Sequence, residues 1–522
     1  MNKRSNIIKT SAFAAALVLM TGCTGSFEEY NTNPFGPTPE QMLGDNVETG
    51  TLIKNMIPSI AQGQQNNSQM IDQMVGLEYG GQASMINPWG NNGNFYTYNP
   101  RLGWIGVTFD TTMPQIYSNY FQIKEKTGGK GLVYAWAQIL RVAASMKISD
   151  TYGPIPYSEV NGSSFTVAYD SMDKLYKNMF VDLDEAIASI KAAVAAHADV
   201  TTLAAYDYVF AGNFNKWIKY ANTLKLRMAM RIVNAAPQLA QQKAEEAVAD
   251  NGGVMTEAGD AAYSSFNDGM NPLYRAGFTW NGGEFRLSAN LVSFLTGYGD
   301  PRLNAYCKDA DGKYVGCRNG IKQSSSSFAA YQTATCKPNI TENSKLLIMS
   351  AAEAYFLRAE GALHGWAMGG TAKDLYEMGV KTSMAEQNVA IGDYLASDKT
   401  PADFVDAVNT KYNVKAMTTI SPKWDDAASF DVNLERIITQ KWLASFLNGW
   451  EAWADVRRTG YPKFFPVADN LNSSVVSSTR GMRRLPFPQS EYNTNKTNVD
   501  AAVALLGGSD DAATDLWWAK KN

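Results

Sequence analysis

Glu353-Ala354-Tyr355-Phe356-Leu357-Arg358-Ala359-Glu360 reads as the middle of a helix packed on one side. With Ile348, Ala352 and Leu363, its apolar residues recur every three or four positions. That spacing lays one stripe of an α-helix against a core. The same spacing runs through Leu132, Trp136, Ile139, Leu140 and Ala143, and through Met172, Leu175, Met179, Leu183, Ile187, Ile190 and Val194. It returns in Phe214, Trp217, Ile218, Ala221, Leu224, Met228 and Ile232, with Lys216, Arg227 and Arg231 off the stripe, and in Leu434, Ile438, Trp442 and Phe446. Gly153, Pro237 and Gly365 follow as breakers. Strand signals are few and short, so the sequence predicts a mainly α protein with minor β-hairpins. Trp136, Trp217 and Trp442 lie on stripes and belong to the core.

The chain opens with Lys3, Arg4 and Lys9, followed by the short apolar run Ser11 to Met20. This is the layout of a secretory leader, too short to span a bilayer. Met20-Thr21-Gly22-Cys23 resembles a bacterial lipobox. The expected organisation is a signal peptide over 1–22, an acylated Cys23 heading a flexible tether over 23–39, and a single helical domain over 40–522. Glu28 and Glu29 resemble a surface-export signal. No later stretch approaches about 18 consecutive apolar residues, so the expected protein is anchored to a membrane without crossing it. The net charge is −4 with no dense basic run, which argues against a nucleic-acid partner.

Long irregular stretches fall at about 80–114, 252–306 and 324–343. Loops of that length inside a compact protein tend to carry function. In Asn87 to Trp104, the residues Trp89, Asn91, Asn92, Asn94, Phe95, Tyr96, Tyr98, Arg101 and Trp104 form no amphipathic stripe. Sugars offer flat C–H faces for stacking and a rim of hydroxyls for amides and guanidiniums, and this loop has both kinds of group. A second loop offers Asn267, Asp268, Tyr274, Arg275, Phe278, Trp280 and Asn281.

Catalytic chemistry is thin. The two histidines, His197 and His364, sit at helix ends, and no nucleophile elbow, zinc-protease motif or phosphate loop is present. Asp309-Ala310-Asp311-Gly312 reads as a turn and not a calcium loop, because its Gly comes too early. No cofactor or metal is expected. Cys307, Cys317 and Cys336 leave an odd thiol. A three-residue hairpin loop at Asp311-Gly312-Lys313 sets Cys307 opposite Cys317 at disulfide range. A Cys317–Cys336 bridge and no bridge stay open beside it.

Further motifs stand in order along the chain. Asp150-Thr151-Tyr152-Gly153-Pro154-Ile155-Pro156-Tyr157 makes a rigid turn, since each Pro fixes φ and holds its predecessor extended. It is followed by Trp217-Ile218-Lys219-Tyr220-Ala221-Asn222-Thr223-Leu224-Lys225-Leu226-Arg227, then Asp300-Pro301-Arg302-Leu303 and the 353–360 helix. Gln440-Lys441-Trp442 leads to Glu451-Ala452-Trp453-Ala454-Asp455-Val456-Arg457-Arg458-Thr459-Gly460-Tyr461-Pro462, and Arg484-Leu485-Pro486-Phe487-Pro488-Gln489-Ser490-Glu491 closes the series. Together, behind a lipobox, these resemble the SusD/RagB family of nutrient-binding outer-membrane lipoproteins. The resemblance covers about 150–491, while 30–130 carries no matching motif. It implies a SusD-like α-helical fold on four tetratricopeptide-like helix pairs. It also implies an outer-membrane location facing the exterior and a SusC-like TonB-dependent transporter on which the protein sits as a lid.

Read from the residues, Glu353, Arg358, Glu360, Arg457 and Arg458 are scaffold ion pairs between helices. The expected function is non-catalytic capture of oligosaccharides. Peptide cargo on the same fold remains the alternative, followed by a helical glycosidase or lyase using two carboxylates.

Overall fold

A computed structural model describes residues 46–164, 166–265 and 269–520. Cys23 with the leader and tether, and Asn267 and Asp268, lie outside the described residues. Thr49–Asn522 forms one compact unit. Its main helices are α1 (Val107–Thr127), α2 (Gly131–Tyr152), α3 (Met172–Ala195), α4 (Phe214–Arg231), α5 (Pro237–Ala249), α6 (Ala289–Tyr298), α7 (Ala351–Leu363), α8 (Ala372–Glu386), α9 (Phe430–Ala444) and α10 (Gly449–Thr459). Strands come in antiparallel pairs: β1 (Ala83–Met85) with β3 (Phe285–Leu287), β2 (Ala262–Ser264) with β6 (Leu346–Met349), and β4 (Cys307–Lys308) with β5 (Lys337–Pro338). Among the described residues, no helix is long and apolar enough to cross a membrane.

Helices neighbouring in sequence pack in turn, α1 on α2, α2 on α3, α3 on α4 and α4 on α5. The scaffold then crosses from α4 to α7, which packs against α8 and α9. The helix caps are local and legible. Ser171 accepts from Lys174 N, Asn213 from Lys216 N and Thr371 from Asp374 N, each satisfying an orphan donor of the first turn. Trp136, Trp217 and Trp442 are buried as expected. The rings of Trp136 and Trp217 meet at 5.5 Å. Burying one such indole removes about 150–250 Å² from water, an upper value of roughly 4–6 kcal/mol.

The motifs meet in space. At the end of α2, Gly153 has φ +100°, and a Cβ there would meet Leu506 Cδ2 at 2.8 Å, so only glycine fits. The carbonyl of Tyr152 accepts Arg484 Nη2 at 2.8 Å. Arg302 is fully buried and grips Asp300 bidentately (2.9 and 2.7 Å) while donating to Ser383 on α8 and Gln440 on α9. The predicted scaffold pairs hold for Glu353 with Arg227 (2.6 Å) and for Glu360 with Arg458 (2.9 Å). Arg358 and Arg457 differ: both donate to backbone carbonyls instead of carboxylates.

Several expectations are corrected. Ile348 sits on β6, ahead of the helix whose stripe it extended. The stretch read as irregular to Pro114 already contains the start of α1, which runs through that proline. The 324–343 stretch holds a helix over Ser325–Ala334, because Ser324 caps it by accepting Ser327 N at 3.2 Å. No Cys307–Cys317 bridge forms, and Cys307, Cys317 and Cys336 are all free and buried. Asp311 and Gly312, at φ 51° and 74°, make a two-residue turn closed by Ala310 and Lys313. That turn is one residue shorter than predicted. A one-residue slip sends Cys317 to the opposite face, where it pairs with Ser288 beside β3. Cys307 instead pairs with Pro338 on β5.

Candidate ligand-binding site

The two aromatic loops are brought together by a short antiparallel strand pair. β1 and β3 pair with Met85 opposite Phe285. The 87–104 loop leaves the end of β1 at the place where the 274–284 segment enters β3. Between them lies Glu284, itself only 1% exposed. Its carboxylate accepts from Asn87 Nδ2 at 2.8 Å, and also from Asn281 Nδ2 and Gln69 Nε2. Its backbone carbonyl accepts Ile86 N at 2.9 Å. One buried acid therefore ties both loops to the helical segment Gln69–Leu77.

In the first loop, Gly90, Asn91 and Asn92 take left-handed φ of 65°, 55° and 65°. Gly and Asn are the residues that tolerate this backbone. The turn presents Trp89 half-buried and Asn91 exposed. Trp104 is also half-buried. It meets Trp89 edge-to-face at 6.1 Å and stacks on Phe95 at 6.4 Å, with the exposed Arg101 guanidinium 5.2 Å from its ring. Leu102 beside it is 71% exposed.

Asn94 and Tyr96, expected at the ligand, are both fully buried. Asn94 Oδ1 accepts Phe95 N at 2.6 Å as a helix cap, and Tyr96 donates to Asn92 Oδ1 at 2.6 Å. They shape the loop and do not face solvent. Asn92 is likewise engaged, accepting Gln323 N at 2.8 Å.

In the second loop, Asn271 caps a short turn by accepting Leu273 N (2.8 Å) and Tyr274 N (3.1 Å). This orients Tyr274 to stack on Phe278 at 4.6 Å, both rings half-buried. Lys308 and Lys337 cover the Phe278 ring at 5.1 and 5.3 Å. Trp280 is half-buried and Asn281 exposed.

The face thus offers partly exposed indoles, an exposed amide on each loop and the exposed Arg101 guanidinium, which suits stacking and hydroxyl recognition. Glu284, the carboxylate between the loops, is occupied by three amides and is not free for proton transfer. Sequence reasoning missed it, as a lone acid ahead of a strand carries no signal. Neither histidine serves the site. His364 stacks on Trp366 at 5.3 Å, where desolvation by the neighbouring rings lowers its pKa, and His197 ends a helix at φ 52°. Among the described residues, no cluster of three or more His, Cys, Asp or Glu could hold a metal.

Replacing Glu284 by alanine is expected to leave three amide groups without an acceptor, at about 1–3 kcal/mol. Amide exchange should accelerate in 87–104 and 274–284 before it does in α7 or α9. Unchanged exchange in both loops would show that the carboxylate does not hold them.

A family model described as SusD-like, SusD and RagB outer membrane lipoprotein, matches residues 29–519. A SusD-like protein from Bacteroides thetaiotaomicron is 38% identical over 90% of this chain and 98% of its own, with a TM-score of 0.85. A chitin-binding SusD homologue from Flavobacterium johnsoniae is 35% identical over 91% of this chain and 99% of its own, with a TM-score of 0.87. A homologue from Bacteroides uniformis gives 36%, 91%, 99% and 0.86 in the same order. Comparison with curated proteins gives no match.

Proposed function

This chain belongs to the SusD-like family of SusD and RagB outer membrane lipoproteins, and from that premise we propose that it captures oligosaccharides at the cell surface. Lipid on Cys23 anchors it through the 23–39 tether, facing the exterior. It hands its cargo, uncleaved, to a SusC-like TonB-dependent transporter, closing over it as a lid. The observation that carries this reading is the convergence of two aromatic loops at the β1–β3 ladder. Trp89, Trp104 and Trp280 are partly exposed there, beside Asn91 and Asn281.

Among the described residues of this face, Glu284 between the loops is buried under three amides, which fits binding better than hydrolysis. Glycan is preferred to peptide cargo because a relative sharing 35% identity is described as chitin-binding, and because stacking surfaces suit sugar faces. Titration calorimetry of the full-length protein in detergent, against oligosaccharides that include chitin fragments and against peptide digests, tests the reading. Binding of one glycan class supports it, and binding of peptides alone moves the cargo to peptide. Turnover of any panel member ends the non-catalytic reading.

A further inference from the structure

A cavity of about 590 Å³ takes Tyr98, at the end of the 95–98 segment, into its wall. Tyr79, Tyr98, Trp453 and Phe464 line it. Tyr79 packs on Tyr98 at 5.9 Å and on Trp453 at 5.1 Å, so the wall is aromatic and rigid. Its volume lies in the range of small-ligand pockets, about 300–1,000 Å³.

The charge around this cavity is opposite in sign to that of the protein, whose net charge is −4. Lys463 and Arg480 stand exposed at the mouth, while Arg457 and Arg483 are buried in the wall. Against these four cations stand two acids. Asp515 bridges Arg480 (2.6 Å) and Arg483. Glu78 is buried and accepts Met85 N and Asn319 Nδ2, both at 2.8 Å. Burial pushes its carboxyl up to about 8, against those two hydrogen bonds.

Arg457 is the most telling group. It lies 3.6 Å from the Trp453 ring centroid and donates to backbone carbonyls: Trp453 O at 3.2 Å, Arg483 O at 3.0 Å and Asp150 O. Its Nη2 and the Tyr79 hydroxyl are buried without a partner. A buried donor left unpaired is costly, and a buried cation more so. Burial drives the Arg457 guanidinium well below its ordinary value; Asp150 opposes that, while Arg483 and Arg231 add to it. An anion in the cavity relieves that position.

We propose that this cavity is a second ligand site, separate from the aromatic loop face, for a short saccharide bearing a carboxylate. Its sugar face lies against the half-buried Phe464 ring, and its carboxylate meets Lys463, Arg480 and the Arg457 side of the wall. The site does not require that the loop face binds sugar.

The test titrates the full-length protein in detergent at pH 7 with digalacturonate, with a glucuronic-acid disaccharide, and with the dimethyl ester of digalacturonate, which replaces each negative charge by a neutral methyl ester. At least one acid should bind, and the ester at least about tenfold more weakly. Lys463→Ala and Arg480→Ala, both at exposed positions, should each weaken the acid about three- to fivefold. Trp89→Ala should leave it unchanged. The proposal is overturned by silence of both acids at about 10 mM, by equal binding of the ester, or by loss in Trp89→Ala with none in the two rim variants.

Discussion

Glu451→Ala is expected to cost the fold about 3–5 kcal/mol, because it strips the anion from a buried set of cations. Glu451 on α10 is 5% exposed. It receives Arg231 Nη2 and Lys441 Nζ, both at 2.5 Å, with Arg227 at 3.5 Å. Lys441 also reaches Asp455 at 2.7 Å, Arg231 reaches Asp150 at 3.2 Å, and Arg227 reaches Glu353 at 2.6 Å. One network thus binds α2, α4, α7, α9 and α10. The motif residues recur together because they are one electrostatic core, not a row of surface pairs.

Glu451→Gln keeps the shape and removes the charge, so it should retain most of the loss. Lys177→Ala, which breaks an exposed pair with Asp173, should change stability by no more than about 1 kcal/mol. Urea midpoints compare the three, and similar midpoints for Glu451→Gln and Lys177→Ala would contradict the account.

The same network sets a pH response. Burial opposes ionisation of Glu451, but Arg231, Lys441 and Arg227 outweigh it and hold the carboxyl well below its ordinary 4.5. A carboxylate depressed in the folded state contributes stability that is complete above its unfolded pKa. That contribution fades as pH falls through the lower folded value. It is therefore lost progressively as pH falls below the ordinary 4.5 toward the lower folded value, and Glu451→Gln should flatten the acid limb of stability against pH.

Helices with a plain aliphatic stripe were legible from spacing, as α3 and α4 illustrate. The start of α1 was not, because Pro114 interrupts it and its buried face is carried by Phe109, Thr112, Ile116, Tyr117 and Tyr120. Position along the chain also hid the cross-links. Gln69 and Glu284 stand 215 residues apart, and nothing local to either announces the other. Aromatic content marked both loops, and within them Trp89, Trp104 and Trp280 are half-buried while Phe95, Tyr96 and Tyr98 join the core. It could not tell exposed Asn91 from buried Asn94, since both are small amides in one turn, and only the cap bond to Phe95 N separates them. The cysteine register failed for a similar reason: a single residue of turn length decides which face a thiol takes.

The loop face leads to the second large effect. The double variant Trp89→Ala, Trp280→Ala should lower affinity for the captured glycan roughly 30- to 700-fold, taking each ring as about 1–2 kcal/mol of contact. Each single variant should lose about 5- to 30-fold. The losses should add if the rings grip separate sugar units, since sites without shared partners combine independently. Trp89 also packs edge-to-face on Trp104, so its removal could loosen the loop as well as delete a contact. Trp89→Phe and Trp280→Phe separate the two effects. A smaller ring keeps the stacking face and much of the packing, so binding should return to within about tenfold of the parent. If phenylalanine restores the thermal midpoint but not the affinity, the indoles supply something beyond a flat surface, and their N–H groups become the donors to examine. If the double alanine variant binds glycan as tightly as the parent, the aromatic face is a fold element and the cargo sits elsewhere on the molecule.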